Sequence, residues 1–310
     1  MEGVSDDPEF DNGRSLVKSY TPLPFQIHET VKNIQYPFNR LCKSPLPVLS
    51  WADHEEVWKT LLQKDTIYSK DENILCNHPE LKARMRAILL NWLMEVCETF
   101  KLDRDTFYLS VDILDRYLSQ SHNIPKAQLQ CTGITALFIA SKIEEIYPPK
   151  LMDFAYVTDE SSSESDILTQ ELMILKILNW DLCPMTWNSW LTVFMQLLQK
   201  DTSDDFLFPK FSGHEFCKVG QLLDLAILDI GSLKYCNNVV VSVAIHYMIS
   251  NDLALSLSGL RQQDIAMCID WMKPFFLVFA KSDLISSRTD EYNIQRSSAS
   301  VGMLDAALAI

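Results

Sequence analysis

An all-α fold is predicted for this chain, and three observations predict it. The first is glycine, eight residues in 310, where average usage would give about 20. Tight hairpin turns and phosphate-cradling loops both draw on glycine. The scarcity therefore argues against a β-rich body, and neither GxGxxG nor GxxxxGK[ST] occurs in the sequence. The second is spacing: apolar side chains recur at i, i+3/i+4 and i+7, the period of an amphipathic helix. The third is punctuation. Pro148, Pro149 and Pro184 fall between the periodic segments, where prolines stop helices.

Residues 1–48 carry Pro8, Pro22, Pro24, Pro37, Pro45 and Pro47 with little periodicity, and are expected to form a flexible N-terminal arm. A short helix follows from about Asp53 to Lys64. Val57, Leu61 and Leu62 give its apolar face, and Asp53, Glu55 and Glu56 sit in the first turn, where the helix dipole favours acids. The next helices are predicted over 79–100, 103–121 (Phe107, Val111, Leu114 and Leu118 on one face), from Pro125 to before Ile146, over 150–156, and over 166–179. Beyond Pro184 a second half has a similar arrangement, with helices over 186–199, 211–230, 237–249 and 261–280. Length and breakers thus divide the chain into 49–180, a first helical domain with its leading helix, and 181–282, a second one. A polar tail over 283–310 is expected to leave the fold, its end forming at most a short helix over Met303–Ile310.

The formal charge of −14 and the lack of any Lys/Arg cluster exclude a nucleic-acid footprint. An acidic body suits basic protein segments, and also suits mere solubility. The eight cysteines never form CxxC and read as reduced, buried small hydrophobes. No signal peptide or membrane span is expected from the acidic N-terminus and the absence of a long uncharged apolar run. Catalysis finds no candidate either. There is no HExxH and no GxSxG, and the adjacent Glu144 and Glu145 point about 100° apart on a helix. No cofactor or metal site is expected.

The helix over 79–100 carries more apolar residues than one buried face can use. Met85, Ile88 or Leu89, and Trp92 form one stripe; Leu90, Leu93 or Met94, and Cys97 form another. Such a helix is either central to a core or keeps one stripe for a partner. Arg86, Asn91, Glu95 and Glu98 interrupt the surface, which suits a groove with a charged rim.

Met85–Leu89 with Trp92–Val96, then Asp115-Arg116-Tyr117, then Ala140–Pro149 resemble the cyclin box in residues, order and spacing. Ser44–Trp51, Phe154–Asp159, Glu171–Leu182, Leu222–Ile230 and Trp271–Phe275 resemble the cyclin E subfamily in particular. The resemblance covers about 44–295. It implies two tandem five-helix cyclin-box folds preceded by a short N-terminal helix, with flexible termini. It also implies that the chain binds and activates a cyclin-dependent kinase, of type 2, at the G1/S transition.

By the same resemblance Lys142 and Glu171 match paired charges at the kinase contact, with Ile143, Leu175, Trp180, Leu182 and Val57 as apolar contacts around them. A solvated or intramolecular ion pair is the structural alternative for the two charges. Met85, Ile88, Leu89 and Trp92, with Glu95, Leu129 and Gln130, match a patch that docks Arg-x-Leu segments of substrates and kinase inhibitors. Arg86 and Asp115 match a structural salt bridge. Nuclear residence, shared with the cytoplasm, is implied likewise, and Ser189–Phe194 resembles a centrosome-targeting segment that also fits a core helix. Thr21-Pro22 and Ser44-Pro45 are minimal proline-directed phosphorylation sites, and the Thr-Pro-Pro degron of the subfamily has no counterpart before Ile310. The competing class is a helical scaffold or transcription-factor module on the same fold without a kinase partner, which Lys142 and Glu171 discriminate against.

Overall fold

The computed structural model describes residues 44–310 apart from 69, 71, 160, 199–211, 282–296 and 298. The arm over 1–43 with Thr21, and the tail over 282–296, lie outside the described residues. Among the described residues the structure is helical: α1 His54–Ile67, α2 Ala83–Phe100, α3 Arg104–Gln120, α4 Leu129–Glu144, α5 Leu151–Tyr156, α6 Glu164–Ile177, α7 Trp187–Leu198, α8 Gly213–Ala226, α9 Asn237–Met248, α10 Asn251–Ser258, α11 Gln262–Lys281 and α12 Val301–Leu308. Helices α2–α6 make one five-helix fold and α7–α11 a second.

Local chemistry sets many of the starts. Asp53 accepts from the Glu55 and Glu56 N–H groups, Asp103 from Asp105, Thr186 from Ser189, Ser212 from Glu215 and Ser300 from Met303. Ser163 and Asp166 bond reciprocally as a capping box at α6. Glu145, set aside as a catalytic carboxylate, has a structural role. Its Oε1 accepts from the Asp103 N–H at 2.7 Å and from the Thr106 hydroxyl at 2.6 Å, so the end of α4 caps the start of α3.

The helix buried nearly all round is α3, and it is the charged one. Arg104, Asp112, Asp115 and Arg116 are buried along it beside Phe107, Val111, Leu114 and Leu118. An ion out of water must be paired and hydrogen-bonded, and each of these is. The Arg86 guanidinium on α2 grips Asp115 as a fork, Nε to Oδ1 and Nη2 to Oδ2 both at 2.7 Å, and its Nη1 donates to the Ile227 carbonyl of the second fold at 2.9 Å. Arg104 meets Asp224 of α8 at 2.5 Å, and the Tyr108 hydroxyl donates to the same carboxylate at 2.8 Å. The buried His78 links its neighbours as a fixed tautomer: Nδ1 accepts from the Ile124 N–H, which leaves Nε2 to donate to the Leu118 carbonyl.

Four features differ from the sequence expectations. The leading helix α1 packs on the second fold: Trp58 is buried edge-on to Trp190, centroids 5.5 Å apart, and beside Phe194, while Asp65 accepts from the Asn238 N–H at 3.1 Å. Aromatic pairing at the front of α7 explains that choice. The end of the arm is tied down, because the Ser44 hydroxyl donates to the His54 carbonyl and Leu46 is buried. The tail returns to the body as α12, which buries Leu304 and Ala307, packs on α11 and pairs Asp305 with Arg84 of α2. Lastly, α10 was not expected. It has eight residues, two of them serines inside the helix, and is closed by Gly259 at φ 67°.

The first energetic expectation concerns Arg86→Ala, which strands the Asp115 carboxylate and frees the Ile227 carbonyl. Urea unfolding is expected to show a loss of about 3–5 kcal/mol. A second concerns Asp65, whose carboxyl burial pushes up to about 7, the Asn238 hydrogen bond only partly opposing it. The folded chain then keeps a proton that the unfolded chain releases near pH 4, so stability from this group falls as pH rises from about 4 to 7. Asp65→Asn removes that loss while still accepting from Asn238. Its stability gain over the parent is expected to grow by roughly 2 kcal/mol between pH 5 and pH 8 in parallel melts.

Candidate functional site

The first candidate surface lies where the last turn of α4 meets α6. The Lys142 ammonium pairs with the Glu171 carboxylate, Glu171 being the more buried partner with its side chain 12% exposed against 40%. Nζ also stands 4.1 Å from the centroid of Phe138, one turn earlier on α4, a cation–π contact that steadies the ammonium. The intramolecular pair is therefore present in the free chain. Of the apolar residues expected with it, Ile143 is exposed, Trp180 is 64% exposed, Leu182 is half-buried, and Val57 is half-buried on α1 against the core. Leu175, expected as a contact, is instead buried. It lies on the inner side of α6 with Ile167 and Ile174, so it can support the surface but not form it.

Sequence reading missed several residues here. Ile146 and Tyr147, 91% exposed, extend the apolar surface past the end of α4, and Leu168 and Leu172 are exposed beside Glu171 on α6. The signal was available: Leu168 and Leu172 repeat at i, i+4 outside the stripe that α6 buries. Glu144 closes the rim. Its carboxyl is pushed up, first by burial and then by the charges of Asp105, Asp103 and Glu145.

The second candidate surface runs along α2 to the start of α4. Ile88 is 51% exposed, Met85 and Trp92 are half-buried, and Glu95 is exposed with Oε1 accepting from Asn91 at 2.8 Å. Gln130 accepts from the Ser161 hydroxyl at 3.3 Å. Leu89 and Leu129, expected among the contacts, are 6% and 7% exposed and lie beneath the surface instead. For Leu89 the reason is Gly133 on α4: a Cβ there would stand 2.8 Å from both Leu89 methyls, so the glycine lets Leu89 nest against α4. The other stripe of α2, Leu90, Leu93, Met94 and Cys97, is core. Arg86 and Asp115 lie beneath the surface in the fork described above.

Other motifs are absorbed by the fold. Trp190, Leu191 and Phe194 of the Ser189–Phe194 segment are fully buried. A cavity of about 30 Å³ at the junction of the two folds, lined by Asp65, Arg86, Asp112 and Asp115 among others, is too small for an organic substrate. Among the described residues no group of His, Cys, Asp and Glu could hold a metal, and no helix is long and apolar enough to cross a membrane.

Comparison with known proteins agrees with this geometry. Residues 56–183 match the family described as cyclin, N-terminal domain. The chain is 47% identical over 273 residues to the mouse G1/S-specific cyclin-E1, covering 86% of this chain and 67% of that protein. It is 43% identical to the sea-urchin Hemicentrotus pulcherrimus G1/S-specific cyclin-E, covering 84% and 64%, and 45% identical to that of Drosophila melanogaster, covering 83% and 40%. It thus spans about two thirds of the first two relatives and less than half of the third. Among solved structures, a viral cyclin from herpesvirus saimiri superposes with a TM-score of 0.58 over 72% of this chain and 99% of that one, at 21% identity, which speaks to the fold alone. With two five-helix folds in tandem and this degree of identity, the chain belongs to the cyclin family, in its G1/S-specific cyclin-E branch.

Proposed function

We propose that this chain is the regulatory subunit of a cyclin-dependent kinase, of type 2, which it binds through the α4–α6 surface, and that it docks Arg-x-Leu segments on α2. A G1/S cyclin regulates and does not catalyse; the chemistry belongs to the kinase. The observation that carries the reading is the Lys142–Glu171 pair, formed across α4 and α6, together with the exposed apolar side chains on and beside those two helices, Ile143, Ile146, Tyr147, Leu168, Leu172 and Trp180. A patch of that kind, rimmed by charge, marks a protein interface. An ammonium has three donors and Glu171 takes one, so Lys142 can bond a partner without leaving its carboxylate. The already formed pair fixes orientation as well as strength. A subunit that binds the active arrangement of the kinase more tightly than the inactive one shifts the equilibrium by that difference. On α2, a leucine would sit between Ile88 and Trp92 over the buried Leu89, with Glu95 meeting the arginine. Nuclear and cytoplasmic residence belong to the same proposal.

The direct experiment mixes the purified chain with a monomeric cyclin-dependent kinase and follows histone phosphorylation. No activation would favour the kinase-free scaffold. Lys142→Ala with Glu171→Ala is expected to weaken kinase binding by about tenfold or more with unchanged far-UV helicity; unchanged co-purification would sink the α4–α6 assignment. For α2 the informative variant is Met85→Ala/Ile88→Ala/Trp92→Ala, which spares the buried Leu89. Activity on a short peptide without a docking motif should survive, while phosphorylation of an Arg-x-Leu substrate drops about tenfold. Equal loss on both substrates would show that the stripe is core.

A further inference from the structure

At the end of α6 the chain passes through two consecutive left-handed residues that are not glycine, Asn179 at φ 51° and Trp180 at φ 60°. Helix termination accounts for the first. The Asn179 N–H donates to the Lys176 carbonyl at 3.2 Å and the Trp180 N–H to the Leu175 carbonyl at 2.9 Å, the paired bonds of a Schellman motif with asparagine at its left-handed position. The motif does not require the second, and left-handed backbone costs a residue with a Cβ roughly 1–2 kcal/mol.

What holds it is the next residue. The Asp181 carboxylate accepts from the Tyr68 hydroxyl just past α1, its carbonyl accepts from Arg116 Nη1 at 2.9 Å, and its N–H donates to the Leu178 carbonyl at 3.0 Å. Arg116 is itself fixed by Asp112 at 2.6 Å and lies 4.7 Å from the centroid of the Tyr68 ring. Tyr68 and Arg116 are both buried, yet the adjacent indole of Trp180 is among the exposed large side chains of the surface. A buried three-way clamp on one residue thus projects an exposed aromatic from the residue before it. Backbone strain kept at such a point is a signature of function rather than stability.

We propose that Tyr68, Arg116 and Asp181 are positioning residues for Trp180, holding the linker between the two folds so that the indole is presented to the kinase already ordered. The proposal rests on the kinase-binding reading of the α4–α6 surface. Preordering lowers the entropy lost on association, and it makes α1, α3 and the linker a single rigid support for the aromatic anchor.

The test is a double-mutant cycle. Kd for a monomeric cyclin-dependent kinase is measured by calorimetry for the parent chain, Tyr68→Phe, Trp180→Ala and the double variant. Tyr68→Phe removes only the hydroxyl and is expected to weaken binding roughly fivefold in the parent but not at all in the Trp180→Ala background. An independent arm leaves the clamp intact. Asn179→Gly, which suits left-handed backbone, should keep the parent affinity, while Asn179→Val should weaken it by a similar factor. No effect of Tyr68→Phe, or an equal effect in both backgrounds, overturns the positioning role while leaving the kinase surface standing. An unchanged Kd for Trp180→Ala overturns the place of Trp180 in the kinase surface and the proposal with it.

Discussion

A guanidinium cannot be left bare inside a protein, and Arg86 turns that constraint into architecture. Its fork takes both oxygens of Asp115 and its remaining nitrogen reaches the Ile227 carbonyl, so one side chain fixes α2 against α3 and the first fold against the second. The same logic repeats along α3. Arg104 finds Asp224 in α8, and Arg116 finds Asp112 and the linker carbonyl of Asp181. The junction between the two folds is therefore held by directional ionic bonds as well as by apolar contact. A greasy interface tolerates sliding; charge-assisted hydrogen bonds aimed at fixed acceptors do not.

The two candidate surfaces share α4. Its first turn, with Leu129 and Gln130, borders the groove on α2; its last, with Lys142 and Ile143, carries the α4–α6 surface. The separation along the helix is roughly 18 Å at 1.5 Å per residue. Most of α4 between them is buried, from Thr132 to Ser141, and a helix locked in a core transmits position without flexing. A peptide held at one end and a protein held at the other would keep a fixed distance.

Much of this was legible in the sequence, and the parts that were not share a cause. Apolar periodicity located most of the helices, and the motif order gave the paired folds. Periodicity shows which face of a helix is buried but not what buries it. Hence Trp58 was readable as apolar, but not as the partner of Trp190 in the other fold. The surplus of apolar residues on α2 left two readings open, a place at the centre of the core or a stripe kept for a partner, and the structure divides the helix between them. The helix with more of its surface buried is α3, and of its buried charges only Asp115 had a partner that the motifs suggested. Leu89 is buried against Gly133, and a single missing Cβ has no periodic signature. Glu145 looked like half of a surface carboxylate pair, and its bonds to Asp103 and Thr106 reach 42 and 39 positions back along the chain.

The seating of α1 has a consequence for dissection of the molecule. The recognisable family segment, residues 56–183, begins inside α1 and stops before α7, whereas Trp58 is buried against Trp190 and Phe194 on α7. The stretch that matches the cyclin N-terminal domain is thus not one that can be excised intact. Cut out alone, it would display a bare indole and an unsatisfied Arg86 nitrogen, together with the Arg104 and Tyr108 groups that Asp224 holds, and would invite self-association. The domain match marks out one segment here and cooperative folding another, and the difference is one aromatic helix borrowed across the boundary.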